Sequence, residues 1–444
     1  MMPPKETSRT FHIFYGWYVL AASFVILFLT MGASFSIGVM FKPFIAEFGW
    51  NRSSISMAFF INMAVLAVTF IVAGRAYDRY GPKWVIVISA VLVSVGFMGI
   101  SVINSFWQFV IAYGILVGIG MGGTTIPLFA ALLTKWFEKW RGLAVSLGLT
   151  GACIGQFVVV PLLTMLVLRY GWRISYFCIG LVMLVVIVGL GLFVIKGDPD
   201  DFGLKPFGHK NGERAEEQKD RDGPGTSQQD LGLRDAMKTY SFWLLLTVMF
   251  ICGCGDFLVT THLVPCVTDY GISPTTAGNM LAWLGLMALG GVLAAGPISD
   301  LIGSKIPIAL TFVLRFLLFL LILKYQNLVS FYVFSLFFGF SLMVTAPLNA
   351  VLVARLYGFS HVGLISGFLT TIHHVGGGFW TYVGGAIFDR TGSYGLAFVL
   401  SALMALIAVF CAVFIREERH YANGQAVIGS DLPLEGDRGY KRLT

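Results

Sequence analysis

Twelve runs of mostly apolar residues, each near the length of a bilayer-spanning helix, follow one another with little between them. They fall at roughly 14–40, 53–73, 84–104, 107–134, 142–168, 174–195, 240–264, 275–299, 306–323, 329–354, 362–388 and 394–415. A membrane helix needs about 20 such residues to cross the hydrocarbon layer. Inside that layer each backbone N–H and C=O must bond within its own segment, so runs of this length read as α-helices. Short gaps between them imply antiparallel neighbours in a bundle. Charged residues make up only 12% of the chain, about half the share in ordinary soluble domains, and the mean hydropathy is +0.81. These values exclude a soluble enzyme, a polar disordered chain, a collagen-like fibre and a disulfide scaffold. The expected class is all-α and integral to the membrane. The first run is too long for a signal-peptide core and reads as a retained span.

One gap is long. Residues 196–239 hold eight Lys/Arg, ten Asp/Glu and seven Gly, too polar to bury a core, and read as a flexible linker. It divides the chain into an N-terminal segment 1–13, a six-helix bundle 14–195, the linker 196–239, a second bundle 240–415 and a tail 416–444. With the termini on one side, 23 of the 30 lysines and arginines lie on that side and six on the other. Positive residues favour the cytoplasm, so both termini are expected there, in a multi-pass protein of the inner membrane. The basic residues are scattered and form no patch, which argues against nucleic acid. The six cysteines sit in or beside apolar runs at spacings unlike a zinc or redox motif, so no metal, cofactor or obligate protein partner is expected.

The halves repeat one another. Gly74-Arg-Ala-Tyr-Asp78-Arg79-Tyr-Gly81-Pro-Lys83 recurs as Gly296-Pro-Ile-Ser-Asp300-Leu-Ile-Gly303-Ser-Lys305, offset by half the chain. Thr125-Ile-Pro127-Leu128 is echoed by Thr345-Ala-Pro347-Leu348, Gly142-Leu143 by Gly363-Leu364 and Gly155 by Gly376. A repeat of half-chain length marks a duplicated bundle, and duplicated membrane bundles carry solutes by rocking one half against the other. In Gly118-x-Gly120-x-Gly122-Gly123 no strand precedes the glycines, so close helix packing is expected there and no nucleotide loop.

At the repeated G-x-x-x-D-R-x-G-x-K loop the chain resembles the major facilitator superfamily. The resemblance implies twelve transmembrane helices in two pseudo-symmetric six-helix bundles, with Gly74, Asp78, Arg79, Gly81, Lys83, Gly296, Asp300, Gly303 and Lys305 serving the conformational change. Tyr15-Gly16-Trp17, Phe48-Gly49-Trp50-Asn-Arg52-Ser53, Trp136-Phe137, Arg141-Gly142-Leu-Ala144 and Tyr170-Gly171-Trp172-Arg173 are similar to the monocarboxylate porter and oxalate:formate antiporter branch. That branch often places an arginine in the eighth span; here Leu289-Gly290-Gly291-Val-Leu-Ala294-Ala295-Gly296-Pro297 carries no charge. The eleventh span lacks the lysine of the oxalate carriers and shows His373-His374 near that depth.

Of 53 charged residues only Asp256 and Arg315 fall inside apolar runs, and burying a charge there costs several kcal/mol unless it is paired or wetted. Asp256 lies one turn before Thr260. A carboxylate withdrawn from water holds protons more tightly, which suits a proton site. Arg315 can receive a carboxylate in two-pronged fashion or serve as a structural cation. Adjacent helical residues point about 100° apart, so one of His373 and His374 faces the pathway while the other packs; either can carry a proton or bind an anion. Proton coupling is therefore expected at Asp256, His373 and His374, and substrate contact at Arg315 and His374. The resemblance adds Asn62, Tyr113, Gln156, Trp283, Asn349 and Tyr382 from cavity-lining spans. His262, near the end of its run, is expected to be wet. The expected activity is carriage of a small lactate- or pyruvate-like monocarboxylate with a proton, by alternating access; the alternatives are exchange of organic anions and export of apolar compounds. The expected partners are the anion, the proton and lipid, and no enzymatic motif is present.

Overall fold

The computed structural model describes residues 14–208, 231–358 and 361–415. The N-terminal 1–13, the centre of the linker (209–230) and the tail 416–444 lie outside the described residues. Twelve long helices form in chain order: α1 (Gly16–Phe48, bent at Ser36), α2 (Arg52–Tyr80), α3 (Pro82–Ile100), α4 (Phe106–Trp136), α5 (Arg141–Tyr170), α6 (Trp172–Phe193), α7 (Tyr240–Asp269), α8 (Pro274–Ile302), α9 (Lys305–Lys324), α10 (Leu328–Tyr357), α11 (Val362–Thr391) and α12 (Gly395–Phe414). Eleven are long and apolar enough to cross a membrane; α11, with its histidines, threonines and paired glycines, is not. Several helices overrun the apolar runs that predict them, as α7 does to Asp269 and α11 to Thr391, because hydrogen bonding continues after hydropathy falls.

The two halves repeat in packing as in sequence. α1 lies on α5 as α7 lies on α11, α3 on α6 as α9 on α12, and α2 on α4 as α8 on α10. The sequence echoes sit at equivalent breaks. α4 is interrupted at Gly123 and restarts at Ile126, with Pro127 in its first turn; α10 is interrupted at Met343 and restarts at Thr345, with Pro347 two residues on. A proline is tolerated there because first-turn N–H groups have no helical partner. Gly81 and Gly303 both end a helix at positive φ, +79° and +78°, a conformation that L side chains resist.

α2 packs on α11 and α5 on α8 to join the halves, with the far end of α1 against α7. On these helices the turns nearest the repeated loops expose apolar side chains, among them Val72, Leu143, Leu301 and Leu364. At the opposite ends the halves touch: a Cβ on Gly278 would strike Thr164 and one on Gly385 would strike the backbone of Arg52, whereas one on Gly74, Gly142, Gly296 or Gly363, beside the repeated loops, would meet nothing. The molecule is thus closed at the far face and parted at the face that bears the repeated loops, where Asp78, Arg79 and Asp300 are exposed. Lys305 donates to the carbonyl of Ile415 at 2.8 Å, tying that loop to the end of α12.

The flexible-linker expectation needs correcting at both ends. Phe207 bridges Phe137 through backbone bonds and packs among Phe14, Trp17 and Trp140. Trp136 donates to the carbonyls of Lys196 and Gly197. At the other end Leu231 bonds the carbonyl of Tyr357 before a short turn of helix, Leu233–Ala236. Aromatic and aliphatic side chains hidden among the linker's charges anchor one end to each half.

Candidate functional site

The only two charges expected within the apolar runs meet. Asp256 on α7 and Arg315 on α9 pair at 2.7 Å with side-chain exposures of 8% and 2%. The alignment is electrostatic and does not make a formed hydrogen bond to Asp256 Oδ1. Arg315 spends its other donors on Ser341 Oγ (3.1 Å) and the Ser341 carbonyl (2.9 Å), both on α10, and lies 3.4 Å from the carbonyl of Cys252. In this conformation Arg315 is the counter-ion of Asp256 and presents no free fork to a ligand, which favours the structural side of its two sequence readings. The phenyl rings of Phe312 and Phe338 flank its guanidinium.

The second carboxylate oxygen of Asp256 faces His373 Nε2 on α11 at 3.1 Å and the thiol of Cys252 one turn earlier at 3.4 Å. An ionised carboxylate only accepts, so Nε2 and the thiol are donors here. Cys252 Sγ also lies 3.2 Å from Thr345 Oγ1, at the restart of α10. α7 and α11 approach this closely because Gly253 has no Cβ; one would collide with the carbonyl of His373. Cys252, Asp256 and His373 place three ligand-type atoms within 4.8 Å, but the guanidinium already supplies the positive charge that the carboxylate needs. Asp256, Arg315 and His373 thus form a buried ion cluster. With 16% exposure His373 is its most open member.

His374 points elsewhere. Its Nδ1 donates to the carbonyl of Thr370 at 2.8 Å, and its ring contacts Phe257 of α7 and Phe70 of α2. It therefore sits on the seam between the halves while His373 belongs to the cluster.

Of the six remaining expected ligands, two make interhelical side-chain hydrogen bonds. Asn62 is buried and donates to the carbonyl of Tyr113 at 2.7 Å; Tyr113 is buried and stacks on Phe109. Gln156 donates across the halves to the carbonyl of Leu281 at 3.0 Å. Trp283 meets Phe157 on the same α5–α8 seam. Asn349 is buried in α10 with its carbonyl oxygen unbonded, and Tyr382 is half-buried in α11. None of these six touches Asp256, Arg315 or His373 through the bonds described. His262 corrects its expectation: it is buried, donating from Nε2 to the carbonyl of Thr381 (2.9 Å) and accepting at Nδ1 from the Tyr394 hydroxyl (2.8 Å). The helix continues past the apolar run and α11 covers it.

A second polar cluster, which sequence reasoning missed, closes the far face. Arg52 at the start of α2 grips Asp269 at the end of α7, with Nη2 at 2.8 Å from Oδ1 and Nη1 at 2.8 Å from Oδ2. Lys42 of α1 reaches Asp269 Oδ1 at 2.7 Å. Arg52 also donates to the Tyr394 hydroxyl at 2.9 Å and lies 3.6 Å above the ring of Phe388. Burial holds the Tyr394 phenol, just before α12, well above its usual range, so it stays a donor to His262. Asp389 of α11 accepts from the backbone N–H groups of Arg52 (3.0 Å) and Ser53 (2.8 Å). It thereby caps a helix of the other half whose own N-cap residue, Asn51, makes no side-chain bond. The available signal was charge complementarity: basic residues at the far ends of α1 and α2, acidic ones at the far ends of α7 and α11.

Comparison with known proteins agrees with this architecture. The family model described as Major Facilitator Superfamily matches residues 23–265 and 245–434. The chain is 27% identical over 409 residues to the MFS-type transporter YcxA of Bacillus subtilis, covering 90% of this chain and 92% of that one. It is 25% identical over 394 residues to monocarboxylate transporter 13 of Rattus norvegicus, with 88% and 87% covered. Among solved structures, a bacterial homolog of the human lysosomal transporter Spinster, inward-facing and occupied, superposes with TM-score 0.70 at 14% identity, covering 91% of this chain and 97% of that one. The D-xylose–proton symporter gives 0.68 at 15%, covering 91% and 98%. Duplicated six-helix bundles, the paired glycine–aspartate loops and these matches lead to one assignment: the chain belongs to the major facilitator superfamily, a multi-pass membrane transporter of small molecules and not an enzyme.

Proposed function

We propose that this carrier moves a small organic monocarboxylate, lactate- or pyruvate-like, together with a proton across the inner membrane by alternating access. In this reading both termini are cytoplasmic and the far face is external. The supporting observation is the buried Asp256–Arg315–His373 cluster. A proton arriving through His373 neutralises Asp256 and strips Arg315 of its counter-ion. A cation left unpaired at that depth is strongly disfavoured, and an incoming carboxylate restores the balance. Proton and anion thus favour one another's binding and travel as a neutral pair, each stabilising the cluster that the other perturbs. His374, on the seam against Phe70, is placed to transmit the change to the other half. The relative named monocarboxylate transporter 13 supports the cargo class.

The test is uptake of labelled lactate into proteoliposomes under an imposed inward proton gradient. Accumulation with acidification of the lumen is expected; neither occurring would reject the proposal. The uncharged Leu289–Pro297 stretch of α8 favours a second reading, anion exchange without net proton flow. Counterflow at full rate with no response to the gradient would select it.

A further inference from the structure

The far-face cluster contains a formed carboxylate receptor. We infer that Lys42 and Arg52 make an external binding site for the carboxylate of the cargo, filled in the far-closed state by the carrier's own Asp269. This inference rests on the anionic cargo proposed above and extends it to a second site.

The geometry is that of ligand recognition. Asp269 receives a two-pronged grip from the Arg52 guanidinium, at 2.8 Å to each oxygen, and a third contact from Lys42 at 2.7 Å. Nη2 forms a hydrogen bond to one oxygen and Nη1 a close ion contact to the other, so one guanidinium addresses both oxygens of a planar carboxylate. Both cations belong to the N-terminal half and the carboxylate to the other. In the closed state the C-terminal half holds Arg52 by more than Asp269: its guanidinium lies over Phe388, it bonds Tyr394, and its backbone N–H binds Asp389, and all of these part from it together with Asp269. Lys42 is 46% exposed, Asp269 23% and Arg52 6%, so the site lies at the edge of solvent and not in the core.

When the far face opens, α7 and α11 part from α1 and α2, and Asp269 leaves with its own half. Lys42 and Arg52 then remain together at the external mouth with no carboxylate between them. An external monocarboxylate is the nearest chemical equivalent of what left. Closure returns Asp269 to the receptor and displaces the cargo inward, so the site is occupied in turn by solute and by protein.

Chemical rescue tests this without depending on transport. Asp269→Ala empties the receptor and should lower the melting temperature of the purified carrier. Millimolar acetate should restore part of the loss, while equal chloride should not. Acetate should do nothing for Asp269→Ala combined with Lys42→Ala, nor for the wild type, whose receptor is full. Should Asp269→Ala fail to fold, Asp269→Ser serves the same purpose. Equal responses to acetate and chloride would overturn the inference. In vesicles, Arg52→Gln should raise the KM for external lactate about tenfold, the effect of one lost bond to a charged group, and leave the KM for lactate supplied from the cytoplasmic side unchanged. An unchanged external KM with only a lower maximal rate would reduce the cluster to a latch. If the wild type moves no lactate while acetate still rescues Asp269→Ala, the cargo proposal fails and the receptor stands.

Discussion

Asp256–Arg315 and Asp269–Arg52 are the same ion pair placed in two different seams. The first lies within the C-terminal half, 8% and 2% exposed, with every partner on α7, α9, α10 or α11. The second joins the halves, more open to solvent, with both cations on one half and both carboxylates on the other. Rocking one half against the other leaves the first intact and breaks the second. Buried position and intra-half bonding suit a site whose charge must be balanced throughout the cycle. Moderate exposure suits a contact made and broken in each turnover, because water compensates the separated ions.

The largest effect should come from unbalancing the central pair. Arg315→Ala leaves Asp256 without its counter-ion and should cost about 3–5 kcal/mol of stability, read as a lowered melting temperature. Replacing both, Asp256→Asn with Arg315→Gln, should cost less than Arg315→Ala alone; a double variant worse than either single one would show that the two are not coupled.

Breaking the far-face pair should change conformation more than stability. Arg52→Ala removes bonds to a charged group worth about 1.5–3 kcal/mol from the far-closed state only. Cys266, buried one turn before Asp269, reports this: in a Cys178→Ser background, an impermeant maleimide should label it at least about tenfold faster in Arg52→Ala. Arg315→Gln should leave that rate near its wild-type value. Equal acceleration in both would erase the distinction between the seams. Asp389→Asn should act in the same direction by about 1 kcal/mol, the size of a helix cap. At the smallest scale, Asn51→Asp, which gives α2 a cap of its own, should offset part of the Asp389→Asn effect.

Eleven of the twelve long helices, the duplication and the two charges within apolar runs were legible because each shows in hydropathy or spacing along a single segment. That Arg315 serves Asp256 was not, since 59 residues separate them and only the packing of α7 on α9 and α10 decides which cation meets which carboxylate. That His373 and His374 face different partners was legible from helical geometry, while which of them meets Asp256 depends on α11 packing against α7 at Gly253. The far-face cluster escaped for a different reason. Lys42, Arg52, Asp269 and Asp389 stand where apolar runs give out, and there a charge looks like an ordinary loop residue. Their meaning lies in the complementarity of two helix ends from opposite halves. His262 was misplaced for the same cause, as α7 runs beyond its apolar stretch under the cover of α11 and Tyr394.

The most direct test of the central cluster is lactate movement by Asp256→Asn in proteoliposomes, with and without a proton gradient. An uncharged amide holds the neutral form of the site permanently, so lactate-for-lactate exchange should continue while gradient-driven accumulation disappears. Accumulation by Asp256→Asn equal to that of the wild type would contradict the account.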